Sequence, residues 1–181
     1  MRFGKFAVTV ILFLGSTAFC EDIGALSVGV DNYLGSKMMY NNIAQNSATF
    51  GLLAPIKFAN VTAHIKIRFA YHHVDASHLD SDNASFLHAT NEILFGYKLP
   101  QQGKLMMLPQ LGIGFSAERY KIDTGIGDAN IDMLLDASFR VEYEMSHFNV
   151  GAMLNFERDF SLGIGSFLSP NRLNLALIIS K

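Results

Sequence analysis

The sequence has little of several things, and each scarcity excludes a class. It has one cysteine, Cys20, so no disulfide framework is available. It has no tryptophan and only four prolines. Net charge is −2, with charged residues at only 17%, so there is no basic field for nucleic acid. Beyond the first twenty residues no apolar run approaches the roughly 20 residues that a membrane-crossing helix needs. Yet mean hydropathy is +0.23, high for a soluble domain. A chain that is apolar on average but never for long fits alternating strands with one face turned to lipid.

The one long apolar segment comes first. Met1–Cys20 carries Arg2 and Lys5, then Phe6–Leu14, then Gly15, Ser16, Thr17 and Ala18. That is the order of a secretory signal peptide, too short to span a bilayer. Cleavage after Ala18 or after Cys20 fits the small-x-small rule; the second places Glu21-Asp22 at the mature start. Lipidation at Cys20 would want an aliphatic residue three before it and a small one just before it, where Thr17 and Phe19 stand. The reading is therefore residues 1–20 as signal peptide and 21–181 as a single domain.

Within that domain the period is two. In Val61–Tyr71, Val61, Ala63, Ile65, Ile67, Phe69 and Tyr71 alternate with Thr62, His64, Lys66 and Arg68. An extended strand puts these sets on opposite faces. The same pattern recurs in Gly24–Leu34, Ser47–Phe58, Phe86–Leu99, Leu105–Tyr120, Ile131–Met145, Phe148–Glu157 and Arg172–Lys181. Connections alternate long and short: 35–46, Ala59-Asn60, 72–83, 100–103, 121–130, Ser146-His147 and 158–170. Pro55 lacks a ladder donor, which predicts a bulge. The pattern predicts an all-β fold, an eight-stranded antiparallel up-and-down transmembrane barrel with short periplasmic turns and longer extracellular loops.

Alternation alone leaves the orientation open, since a secreted lipocalin-like barrel would turn the apolar face inward. Three features favour lipid outside. Glycines 29, 51, 96, 112, 114 and 151 fall on the polar face, where a narrow lumen needs small neighbours. Apolar-face aromatics gather near strand ends, with Phe58, Tyr97, Tyr143 and Phe148 on the short-turn side and Phe69, Tyr71, Phe115 and Phe156 on the long-loop side. The polar face carries both signs: Lys57, Lys66, Arg68, Lys98, Arg140 and Arg172 meet Glu92, Glu118, Asp132, Asp136, Glu142 and Glu157. The lumen is thus expected to hold a charge network of His64, Lys66, Arg68, Glu92, Glu118, Asp136, Arg140, Glu142 and Arg172, structural or pore-lining. Ile65, Ile67, Phe69, Leu111, Ile113, Leu135, Phe139, Leu175 and Leu177 are expected to face lipid.

On signal peptide, strand count, loop alternation and amphipathic last strand, residues 21–181 resemble the small eight-stranded bacterial outer-membrane β-barrel proteins of the OmpA, OmpX and OmpW type. Such proteins often end on an aromatic residue; this chain ends LNLALIISK. The resemblance implies an outer-membrane location after signal-directed export, passage through the barrel-assembly machinery, periplasmic termini and loops outside the cell.

Function stays open between three readings. One is a structural or surface-interaction barrel with a closed, charge-paired lumen, presenting four loops, the apolar-rich 35–46 and 158–170 among them, to an extracellular ligand or host surface. Another is a narrow porin-like or OmpW-like channel for small hydrophobic solutes. The last is the secreted soluble lipocalin-like barrel. His72, His73, Asp75, His78, Asp80 and Asp82 match no closed metal site, so no metal or cofactor is expected. The small barrels include lipid A deacylases and palmitoyltransferases, but His147 in MSHFNVG sits in a short turn with no Ser–His–acid set. No enzyme activity and no nucleic-acid partner are expected.

Overall fold

A computed structural model describes residues 24–34, 46–58, 61–74, 84–101, 103–122, 125–161 and 171–181. Eight strands follow in order: β1 Ala25–Leu34, β2 Asn46–Phe58, β3 Val61–Val74, β4 Ala84–Gly96, β5 Leu105–Ile122, β6 Gly125–Glu144, β7 Asn149–Ser161 and β8 Asn171–Ser180. Each pairs antiparallel with the next, and β1 pairs with β8 from Ala25↔Ser180 to Leu34↔Asn171, closing the barrel. Closure gives every strand a paired neighbour on both sides, the condition for crossing hydrocarbon with strands. The described termini meet at the turn end, where the Lys181 amide donates to the Gly24 carbonyl at 3.0 Å. The expected signal peptide lies outside the described residues, as do most of the loops.

The two-residue period sorts side chains as a membrane barrel requires. Leu111 and Leu177 are 69% exposed, while Lys66, Arg68, Glu157 and Arg172 are buried in the lumen. Burying charge while exposing large aliphatics inverts the pattern of a soluble protein. The lipocalin-like alternative, which needs these aliphatics inside, is therefore incorrect. Exposed aromatics form two bands, with Tyr97, Tyr143 and Phe148 at the turn end and Phe69, Tyr71, Phe115, Phe156 and Phe160 toward the loop end. Ile65 and Ile67 are exceptions. They share the outward face with Phe69, yet only 9% and 6% of their surfaces are exposed. Their neighbours there are Ala54 and Ile93, and Leu52 and Asn91.

Three sequence expectations shift. The segment 121–130 is mostly strand, because β5 runs to Ile122 and β6 starts at Gly125, with a register shift between Arg119 and Lys121. A 20-residue strand tilted by about 45° rises roughly 45 Å, well beyond an apolar band of about 25 Å. The β5–β6 hairpin thus projects past the membrane as paired strand. Likewise β7 continues to Ser161, bringing Asp159 inside. Pro55 needs no bulge, since the β2–β3 register runs unbroken through Pro55↔His64. Strand β1 ends opposite Leu53, so Pro55 lies beyond that pairing edge.

Two glycines explain how the wall bends around a crowded lumen. A Cβ on Gly114 would stand 2.1 Å from the Asn91 carbonyl oxygen, a backbone atom that cannot yield. One on Gly112 would stand 2.5 Å from Leu94 Cδ2 and 3.1 Å from Glu92 Oε2. Gly112 therefore clears the space that a buried leucine and a buried carboxylate occupy.

Candidate functional site: the barrel lumen

The lumen is built from the inward positions of all eight strands. Nearer the turn end it is apolar: Ala25, Leu53, Leu94, Met153 and Ile178 form one buried cluster. These residues come from β1, β2, β4, β7 and β8, so the cluster spans the bore. Each breaks a polar run at an inward position, where an isolated apolar residue offers no pattern to read.

Toward the loop end the lumen is ionic. Lys66 Nζ lies 2.7 Å from Asp136 Oδ2, 2.8 Å from Glu92 Oε1 and 3.1 Å from Glu157 Oε1, and donates to Asn155 Oδ1 at 3.1 Å. Arg68 joins Asp31 to Glu157. Arg172 reaches Glu157 through Nε at 3.2 Å and grips Asp159 with both terminal nitrogens, one at 2.8 Å. Ser116 donates to Asp159 Oδ1 at 2.9 Å. Asn155 donates to Asn174 Oδ1 at 2.8 Å, and Asn174 donates onward to Thr49 Oγ1 at 3.2 Å. The network ties every strand to others across the bore. Buried charges persist only when paired and hydrogen-bonded, which this mesh provides.

Of the nine lumen residues named from sequence, Lys66, Arg68, Glu92, Asp136 and Arg172 enter this mesh. Arg140 and Glu142 form a separate pair closer to the turn end, with Arg140 Nε donating to Glu142 Oε1 at 2.8 Å. His64, half-buried, meets Gln110 with 3.3 Å between its Nδ1 and the amide nitrogen. Glu118 lies nearer the loop end, opposite His88 in the β4–β5 register. Asp31, Asn155, Asn174 and Asp159 were absent from the expected set. Glu157, the hub that meets three cations, figured only in the charge balance. Extending the period of two past Glu157 finds Asp159, and applying it to β1 finds Asp31. The asparagines carry no such signal, because neutral polar residues look alike inside and out.

The expected balance of charge also changes. Among the described residues, the buried inward side chains comprise eight acids (Asp31, Glu92, Glu118, Asp132, Asp136, Glu142, Glu157, Asp159) and four bases (Lys66, Arg68, Arg140, Arg172). Lys98 is exposed at the turn end, and the Lys57 side chain lies outside the described residues. Two buried triads have metal-ligand proximity, His88–Glu118–Asp159 and Glu92–Asp136–Glu157, each with its ligating atoms within 4.8 Å of one another. Lys66 Nζ contacts all three carboxylates of the second and serves as its cation. His147 is exposed in its short turn, at the opposite end from the loops. His72 and His73 fall in β3, but their side chains and residues 75–83 lie outside the description.

On the outer wall, a cavity of about 650 Å³ is lined by Phe95, Tyr97, Pro109, Leu111, Ala137 and Phe139, among others. Small Ala137 and flat Pro109 leave a furrow between aromatic rings, on a surface that meets acyl chains. Further toward the loops the outward Arg158 sits 5.3 Å from the centre of the Phe160 ring. A cation stacked on an aromatic ring at this height suits the headgroup interface.

No protein-family model and no curated protein matches the chain. Solved structures do match its fold. Neisserial surface protein A (NspA) aligns at 12% identity and a TM-score of 0.55, over 87% of this chain and 96% of its own. Ail, the attachment invasion locus protein of Yersinia pestis, aligns at 13% identity and 0.47, over 87% and 97%. The outer membrane enzyme PagL aligns at 11% identity and 0.41, over 86% and 97%. At such identities the likeness is one of fold: a closed eight-stranded outer-membrane β-barrel.

Proposed function

We propose that the protein is a bacterial outer-membrane surface barrel with a closed lumen, which acts through the segments it holds outside the cell rather than by passing solutes. The reading is supported by two layers of buried side chains in the bore. The apolar cluster of Leu53, Leu94, Met153, Ile178 and Ala25 lies on one level, and the Lys66–Arg68–Arg172 mesh on another. An ion would have to be stripped of water at the first and break paired charges at the second. An eight-stranded barrel has no room for a bypass.

What remains for function is the loop end. The β5–β6 hairpin extends as a paired platform, and segments 35–46 and 158–170 contribute Met38, Met39, Tyr40 and Phe167 as contact side chains for an extracellular ligand or host surface. Apolar groups in segments that the sequence pattern reads as extracellular loops suit binding more than solvation. The reading is non-catalytic.

Planar-bilayer recording on the purified native protein tests it. Silence across ±100 mV is expected, roughly the potential worth about 2.3 kcal/mol per charge. Reproducible single-channel steps from the native barrel would sink the closed reading and favour the narrow channel.

A further inference from the structure

We propose that His88, Glu118 and Asp159 form a divalent-metal site in the loop end of the lumen, taking a transition cation of the Zn²⁺ or Mn²⁺ class. His88 and Glu118 oppose each other across β4 and β5, and Asp159 reaches them from β7. All three are buried, and their ligating atoms lie within 4.8 Å of one another. Metal–ligand bonds of about 2.0–2.2 Å hold neighbouring ligand atoms roughly 3–4 Å apart, so only a small contraction is needed.

Three observations set this cluster apart from a chance grouping. First, it is a mixed set. An imidazole beside two carboxylates favours borderline transition cations over Mg²⁺ or Ca²⁺. Second, its counterpart at Glu92, Asp136 and Glu157 has the same spacing and is filled by the Lys66 ammonium, so this lumen builds cation-sized carboxylate cages. At Asp159 the positive partner is Arg172, whose guanidinium is shared with Glu157. Among the described residues eight buried acids stand against four buried bases, an excess of acidic groups that a divalent ion would offset.

Third, Thr90 adds an unused polar group. Its fully buried hydroxyl has no hydrogen-bond partner. Thr90 lies two residues from His88 on the same inward face, opposite Ser116, whose hydroxyl donates to Asp159. A water completing the metal's coordination would give that hydroxyl a partner. The cluster lies near the loop end, since His88 and Glu118 are each four residues inside their strand ends and Asp159 two.

Calorimetric titration of the detergent-solubilised, folded barrel with ZnCl₂ and with MnCl₂ tests the site, the second cation guarding against Zn²⁺ uptake by the chain's other histidines. One-to-one binding is expected, weakened at least tenfold by His88→Gln and by Glu118→Gln. A Glu142→Gln control should bind as the native protein does. Undiminished affinity in folded His88→Gln would overturn the proposal. If the variants do not fold, Mn²⁺ broadening of the native protein's amide spectrum decides. Thr90, Glu118 and Asp159 are expected to broaden first. Broadening confined to segment 72–83 would overturn the site.

Discussion

At the scale of single residues, the lumen concentrates its demands on Lys66 and Glu157. Lys66 is the only cation that contacts Glu92 and Asp136 in the network described above, while Glu157 meets Lys66, Arg68 and Arg172. Removing a partner from such a group is worse than never having built it, because the survivors stay desolvated and unpaired. Lys66→Met keeps most of the volume and deletes the charge, leaving three carboxylates within 4.8 Å of one another. A loss of about 3–5 kcal/mol is expected, read as a lower urea midpoint of the barrel in lipid vesicles. A triple change, Lys66→Met with Glu92→Gln and Asp136→Asn, should recover much of that loss by removing the repulsion. An unchanged midpoint in Lys66→Met would mean that the ammonium does not hold these strands together. The companion lesson is about sequence. Lys66 and Arg68 announced themselves by alternating with apolar residues. Their partners Asp31 and Asn155 did so only weakly, since a short polar side chain in a strand reads the same whether it faces water or the lumen.

At the scale of elements, strand existence and direction were legible because a period of two has one physical meaning, opposite faces. Strand ends were not. Lys121–Asn130 carries glycine and aspartate at loop-like density, yet becomes the top of the β5–β6 hairpin, where continued pairing overrides local turn preference. The lower end of β4 shows the converse. Strand geometry stops at Gly96, while the ladder's hydrogen bonding continues to Leu99, whose amide donates to the Met107 carbonyl at 3.0 Å. The outward face was legible as a stripe but not in its exposure, for Ile65 and Ile67 are buried where Leu111 is 69% exposed. That difference chooses the probe. Leu111→Arg places a charge on an open lipid-facing position, and a cost of about 2–4 kcal/mol is expected near mid-bilayer. Equilibrium refolding in phospholipid vesicles measures it. A cost near zero would place Leu111 outside the hydrocarbon and overturn the orientation. Arginine at Ile67 would mix that cost with overpacking, and so is the poorer test.

At the scale of the whole molecule, the closed reading proposed above leaves two layers of buried side chains, either of which would seal the bore. They differ in kind. The ionic mesh is polar, so it could pass a proton or a small cation if its pairs exchanged partners. The apolar cluster admits no such exchange, because water entering it gains no hydrogen bonds. The seal is therefore expected to reside in Leu53, Leu94 and Met153, with Ile178 and Ala25 completing the layer. Serine at the first three positions shortens each side chain and wets the layer while leaving every ion pair in place. This triple variant is expected to show cation-selective steps in planar bilayers, given eight buried acids against four bases in the lumen it opens. Adding Lys66→Met should raise its conductance further, since the ammonium stands where the permeating ion would pass. Persistent silence from a triple variant of native folded mobility would instead assign the seal to the charge network. The barrel would then be closed by its ion pairs, and Lys66 rather than Leu94 would be the residue whose loss opens it.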